Sequence, residues 1–324
     1  MTKAIRFHKT GGPDVLQWED VQVGAPGEGQ VRIKHTAVGV NYIDTYQRSG
    51  LYAMPLPSAL GGEGAGIVEA VGPGVTHLKA GDRVAYAGGP PGSYSEVRLA
   101  PADRLIKLPD GISDREAAGM MLKGMTTQYL VRRTYKVQPG DTVLFHAAAG
   151  GVGLIAGQWL KALGATAIGT VGSDEKAKLA KAHGYDHVIN YAKEDFVARV
   201  KEITGGKGVP VVYDSVGKTT FMKSLDCLRP FGLLASFGQS SGAVGPVDLG
   251  VLAPKGSLYV TRPTLATYTA SRADLEATAA DLFAVVKSGK VKIEINQTYA
   301  LKDAQQVHRD LEGRKTTGSI VMLP

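Results

Sequence analysis

Residues 147–153, Ala-Ala-Ala-Gly-Gly-Val-Gly, are almost bare backbone: apart from Val152, none carries more than a methyl group. An apolar run, Val143-Leu144-Phe145, leads in. A segment with helical apolar spacing, Leu154, Ile155, Trp159 and Leu160, leads out. Strand, glycine turn and helix is the arrangement in which open N–H groups and the positive end of a helix receive a phosphate. Gly151 and Val152, at the helix start, are candidate contacts. The loop is a loose form of G-x-G-x-x-G, with Ala148 in the first glycine position. The next strand ends at Gly172, where a chain that binds NAD would place an acid on the ribose. Gly-Ser-Asp-Glu-Lys follows instead, and Ser173 and Lys176 supply a short donor and a cation suited to a 2′-phosphate. That combination points to NADPH as cofactor.

A second concentration of chemistry is Asn-Tyr-Ile-Asp-Thr-Tyr-Gln-Arg-Ser-Gly-Leu-Tyr at 41–52. It reads as a loop that gathers three tyrosines with Asn41, Asp44 and Arg48. One reading is a flat aromatic slot in which a planar substrate stacks, with Asn41 or a tyrosine hydroxyl donating to a carbonyl oxygen. The other is a loop whose rings pack on its own domain. Metal chemistry finds little support. The single cysteine, Cys227, excludes an internal disulfide and a cysteine-rich zinc site and reads as a core residue of a helical segment. His183 and His187 have helical spacing, but Gly184 interrupts the face. Gly238-Gln239-Ser240-Ser241-Gly242 fits the nucleophile-elbow pattern of hydrolases. The Gly- and Pro-broken Ala-Val-Gly-Pro-Val-Asp-Leu-Gly that follows is no helix, which that motif requires.

The elements that must hold these residues change character along the chain. Residues 1–120 read as short strands between Gly/Pro turns, a compact β domain. From about 140, five strands alternate with helices over 152–163, 174–183, 195–204 and 219–229, the pattern of a doubly wound parallel α/β sheet. Gly-Ser-Leu-Tyr-Val-Thr-Arg-Pro-Thr-Leu, 256–265, reads as a further long strand at the sheet edge. Two helices and a closing strand, Ser-Ile-Val-Met-Leu, end the chain. That strand belongs in the β domain, so the expected layout is a nucleotide domain of 123–265 inserted between 1–122 and 266–324. A long exposed edge strand is a liability that pairing of two copies removes, so a homodimer is expected.

The length of 324 residues suits two domains, and 44% apolar with 21% charged residues marks a folded protein. The net charge of +7 is dispersed, with no run of three cations. This favours steering of anionic small molecules over nucleic acid. No apolar stretch is long enough to span a membrane, and the N-terminus lacks a signal-peptide pattern, so a cytoplasmic location is expected.

Gly140 to Lys161, read as G-D-x-x-L-x-x-x-A-A-G-G-x-G-x-x-x-x-Q-x-x-K, resembles the signature of quinone oxidoreductases, zeta-crystallin-like members of the medium-chain dehydrogenase/reductase superfamily. The resemblance extends over essentially the whole chain, through Leu-Gly-Gly-Glu-Gly-Ala-Gly-Ile-Val, Val-Val-Tyr-Asp-Ser-Val-Gly and Ser-Phe-Gly-Gln-Ser-Ser-Gly-Ala-Val. It implies a Rossmann-type domain inserted in a discontinuous GroES-like β-barrel catalytic domain. It also implies reduction of quinones by NADPH, with Asn41, Asp44, Tyr46 and Tyr52 lining the substrate cleft. Further implied cofactor positions are Tyr42, Tyr129, Gly172, Lys176, Tyr191, Ser215, Val216, Phe237, Gly238, Gln239, Ser240 and Arg314, with Tyr191 and Arg314 joining Lys176 at the 2′-phosphate. Zinc alcohol dehydrogenases of the superfamily use a Cys and a His where this chain has Asn41 and Gly62, so zinc-independent chemistry is expected. The alternatives are an NADPH-dependent alkenal or enone reductase and a non-catalytic binding role.

Overall fold

The computed structural model describes residues 1–324. The chain divides into two compact units, one of residues 1–125, 269–287 and 293–324, the other of residues 126–268 and 288–292.

The first unit opens with β1 (Thr2–Phe7), β2 (Gln17–Val21), β3 (Gln30–Val40), α1 (Tyr42–Ser49), β4 (Ser58–Ala59), β5 (Glu63–Val71), β6 (Arg83–Ala87), β7 (Val97–Pro101) and β8 (Ile106–Lys107). Helix α2, Asp114–Tyr129, carries the chain into the second unit. There β9 (Thr142–Phe145), α3 (Gly151–Ala162), β10 (Thr166–Val171), α4 (Asp174–Ala182), β11 (His187–Asn190), α5 (Phe196–Ile203), β12 (Val209–Asp214), α6 (Phe221–Leu225), β13 (Leu228–Ser236) and β14 (Tyr259–Thr261) alternate, and α7 (Leu265–Tyr268) follows. The chain returns with α8 (Arg272–Lys287), β15 (Ile295–Ala300), α9 (Ala304–Glu312) and β16 (Ser319–Leu323).

In the first unit β3 is the hub, antiparallel to β5, β7 and β16 in a seven-stranded sheet. Its alternation buries Val31, Ile33, His35 and Ala37. One core packs Val31, Ile33, Val68, Val84, Tyr86 and Leu105. Another joins Ile5, Phe7, Val38 and Val40 to Val307 of α9 and Ile320 and Met322 of β16, so the C-terminal segment completes the unit that the N-terminal segment begins.

The second unit holds six parallel strands in the order β11-β10-β9-β12-β13-β14. Strand order reverses between β9 and β12, and ligands of such sheets bind at the carboxyl ends of the strands there. Residues 288–292 group with this unit because the Gln158 amide brackets Lys292, accepting from its N–H at 2.8 Å and donating to its carbonyl at 3.0 Å. No helix is long and apolar enough to cross a membrane.

Five local readings need correction. Residues 42–49 are a helix, not a loop. Asp44 at the third helical position accepts the Asn41 N–H, Gly50 closes the end at φ +86°, and these end effects outweigh the strand preference of Tyr, Ile and Thr. The 1–120 region also contains the start of α2, which is buried almost all round from Ala117 onward and so shows no helical stripe. The edge strand is three residues long, because Pro263 lacks the N–H needed to extend the ladder. Helix α6 covers only 221–225. Cys227 therefore lies in the turn after it, fully buried, where loss of solvation pushes its thiol pKa up to about 12.

Candidate active site

Four segments meet the carboxyl edge of the parallel sheet. After β9 the chain passes through Ala147 at φ +55° and enters α3 at Gly150. The first-turn N–H groups of a helix have no acceptor within it and point outward. Gly153 packs so closely on the loop that a Cβ would lie 2.4 Å from the Ala147 carbonyl oxygen and 2.6 Å from that of Ala148. Only glycine fits there.

The second segment follows β10. The Ser173 hydroxyl caps α4 by accepting the Lys176 N–H at 3.3 Å, so Ser173 and Lys176 occupy one helical turn beside Gly172. Tyr191, just after β11, stands over the same place: its hydroxyl would be 2.9 Å from a Cβ on Gly172. Asp174 of this turn is drawn aside, accepting from Lys193 at 2.5 Å and Asn190 at 2.8 Å, which holds its carboxyl below the usual range.

The third and fourth segments are 214–217 and 237–242. Asp214 is fully buried at the end of β12. One of its oxygens accepts the N–H of Val216 (2.7 Å) and of Gly217 (3.1 Å), and the other accepts the hydroxyls of Thr220 (2.7 Å) and Ser224 (3.2 Å). The next loop zips onto it, with N–H donation from Phe237 to Asp214, from Ser240 to Ser215 and from Ser241 to Val216. Ser215, Val216, Phe237, Gly238, Gln239 and Ser240 thus form one rim. Asp214 was missed as a site-forming residue, although it stands in the Val-Val-Tyr-Asp-Ser-Val-Gly run.

The family-implied Tyr129 is buried, with its ring stacked on Tyr268 at 4.6 Å. Arg314 belongs to the first unit, in the turn after α9, at φ +57°.

In the first unit Asn41 is the N-cap of α1 and is buried. Its amide donates to Glu63 Oε2 at 2.7 Å. Glu63, also fully buried, further accepts the Leu122 N–H at 2.7 Å and the Lys123 ammonium at 3.1 Å. Asp44 turns inward, 1% exposed, accepting from the Asn41 N–H and the Tyr94 hydroxyl. Burial pushes its carboxyl up to about 7, against the pull of those two donors and of Lys123. Tyr42, Tyr46 and Tyr52 form an edge-to-face row with ring centres 5.4 and 5.3 Å apart, not the flat slot expected. Lys123 and Tyr94 gave no local sign in the sequence, since each acts on a residue far along the chain.

Two family models match, the alcohol dehydrogenase GroES-like domain over residues 27–110 and the zinc-binding dehydrogenase over 151–284. The quinone oxidoreductase of Pseudomonas aeruginosa is 56% identical over the whole of both chains. The chain belongs to the quinone oxidoreductase family. It is an oxidoreductase of the medium-chain dehydrogenase/reductase superfamily. The crystal structure of the Escherichia coli member complexed with NADPH superposes with a TM-score of 0.98 at 54% identity, covering 99% of this chain and 100% of that one. A 2-haloacrylate reductase from a Burkholderia species is 50% identical over 100% of this chain and 99% of its own.

The zinc named in one matching family does not fit these residues. Asn41 and Gly62 offer neither thiolate nor imidazole, and Glu63 is already held by three donors, one of them an ammonium. No cluster of three or more His, Cys, Asp or Glu side chains is placed to hold a metal ion.

Proposed function

We propose that the protein reduces quinones with NADPH, without zinc. The doubly wound unit takes the dinucleotide and the β-rich unit positions the substrate. The observation that carries the reading is the end of β10, where Gly172, Ser173, Lys176 and Tyr191 gather with no carboxylate on the strand end itself. Bound NADPH supplies the hydride. The Gly150–Gly153 turn receives its pyrophosphate, and the 215–216 and 237–240 rim lies on the side of the switch point where the nicotinamide half extends.

Glu63 holds one N–H of Asn41, which sets the amide plane and aims the other N–H at a substrate carbonyl oxygen. Negative charge growing on that oxygen during hydride delivery strengthens this hydrogen bond. Tyr46 and Tyr52 flank the position with rings and hydroxyls. A quinone accepts the electron pair itself, so a Lewis acid is not needed to polarise it.

A second reading, reduction of an activated C=C bond, is favoured by the likeness to 2-haloacrylate reductase. It would use the same hydride and the same carbonyl contact. A panel of quinones and enones, followed by loss of NADPH absorbance, tests both. Faster turnover on quinones is expected, with no zinc in the preparation and no effect of chelators. Turnover on enones alone would decide for the second reading. Chelator-sensitive activity with stoichiometric zinc would overturn the metal-free one.

We also propose a homodimer formed at the β14 edge. The strand is short, but Tyr259 and Val260 on it are 61% and 40% exposed, and Phe231 on the neighbouring β13 is 71% exposed. Burying these side chains against a second copy removes apolar surface from water. Light scattering should give twice the chain mass of 34.1 kDa at micromolar concentration. A monomer there would rule the dimer out.

A further inference from the structure

We infer that Arg48, His308 and Tyr94 are positioning residues, forming a one-way chain of hydrogen bonds that ends on Asp44 and holds Asn41 at the mouth of α1. The inference rests on the role proposed above for Asn41. Arg48 is 2% exposed, on the inner face of α1. Its guanidinium donates to both oxygens of Glu312, at 2.9 and 2.7 Å, to the Gly11 carbonyl at 3.0 Å and to Nδ1 of His308 at 3.1 Å.

The direction of the chain follows from what each group can do. A guanidinium has donors only, so His308 Nδ1 must accept, and the proton of the neutral imidazole sits on Nε2. Nε2 lies 3.2 Å from the Tyr94 hydroxyl oxygen and donates to it. The single hydroxyl proton of Tyr94 is then directed to Asp44 Oδ2, 2.9 Å away. The same oxygen accepts the Asn41 N–H at 2.9 Å. Asp44 Oδ2 receives both donors, and the two hydrogen bonds are stronger when the carboxyl is ionised. With its carboxylate charged, Asp44 pins the backbone of Asn41, while Glu63 pins the Asn41 side chain.

The charged groups facing Asp44 are Glu63 of β5 and Lys123 of α2, with Tyr94 from the segment before β7. Arg48 of α1 and His308 of α9 stand behind Tyr94. Glu63 raises the Asp44 pKa and Lys123 lowers it, so they oppose one another. Burial, with Arg48 beside it, lowers His308 to about 3, which keeps its imidazole neutral through the assay range. Asp44, at about 7, is the member that titrates there. As pH rises through 7, the ionised and holding form grows, so substrate turnover should rise with it.

The test combines Tyr94→Phe with histidine nitrogen NMR. Removing the hydroxyl takes a donor from the carboxylate, which should move the acid limb of quinone turnover up by about one pH unit. The KM for quinone should rise several-fold, with the Kd for NADPH unchanged. Asp44→Asn, which keeps the shape and cannot titrate, should show no acid limb, and it carries the test if Tyr94→Phe does not fold. Nitrogen NMR, with the signal assigned through His308→Gln, should find the Nε2–H tautomer at neutral pH whatever the enzyme reduces. An Nδ1–H tautomer or an imidazolium would overturn the direction of the chain. An active Tyr94→Phe enzyme with the wild-type pH profile and KM would overturn the positioning role. Absence of turnover on any quinone or enone by the wild type would instead sink the functional reading, and the NMR result would still decide the hydrogen-bond direction.

Discussion

Lys176→Ala should weaken NADPH binding and leave NADH binding almost unchanged. Lys176 sits in the first turn of α4, whose amino end already favours an anion, and the Ser173 cap fixes that turn beside Gly172. A charge-assisted hydrogen bond contributes about 1.5–3 kcal/mol, so its loss corresponds to roughly tenfold to a hundredfold in affinity. NADH has no 2′-phosphate for the ammonium to meet. The companion change is Gly172→Asp, which places a carboxylate at the end of β10, where it accepts from the ribose hydroxyls of NADH and repels the phosphate of NADPH. Its Cβ falls 2.9 Å from the Tyr191 hydroxyl, so that ring must swing aside. Tyr191 is 41% exposed and free to do so. The swing removes a second proposed phosphate contact and adds to the inversion. Competition binding of both cofactors to wild type and variants is the measurement. Equal wild-type affinity for NADH and NADPH, or equal weakening of both by Lys176→Ala, would show that this turn does not read the phosphate.

Gly153→Ala should lower the stability of the second unit and its NADPH affinity together. The new Cβ meets two carbonyl oxygens at 2.4 and 2.6 Å, and these are backbone atoms of the loop itself, with no rotamer to escape into. Either α3 backs away from the loop or the loop opens, and both spoil the convergence of N–H groups on the pyrophosphate. Overpacking of this kind costs about 1–3 kcal/mol of stability. The same displacement should lower NADPH affinity about a hundredfold, equivalent to about 2.7 kcal/mol. Gly245→Ala is the control, since a Cβ there meets nothing within 4 Å. Cofactor titration and thermal melting of the two variants should separate cleanly. A Gly153→Ala protein that binds NADPH as wild type does would remove the turn from the site.

What the sequence determined alone is what neighbours in sequence decide together. The strand, glycine turn and helix over 142–162, the alternation behind it and the Gly172–Lys176 turn are local patterns, and all are present in the structure. Local reading failed where local preferences conflict or are silent. Residues 42–49 carry strand-forming side chains yet form a helix, because Asn41, Asp44 and Gly50 satisfy its ends. Helix α2 is buried almost all round from Ala117 onward and shows no stripe, and β15 alternates only between half-buried and exposed positions.

The tertiary structure decided the polar interior around Asn41. Glu63 is brought to Asn41 by the β3–β5 pairing, and α2 delivers Lys123 to the same carboxylate. Arg48 reaches Glu312 across 264 positions of sequence, and Tyr94 reaches His308 across 214. Buried ionisable groups must find partners wherever the fold places them, because the cost of leaving a charge unpaired away from water exceeds any local preference. Residue types and spacing reveal such groups as candidates. Only the packing of α9 and β16 against β3 and α1 makes them a single network.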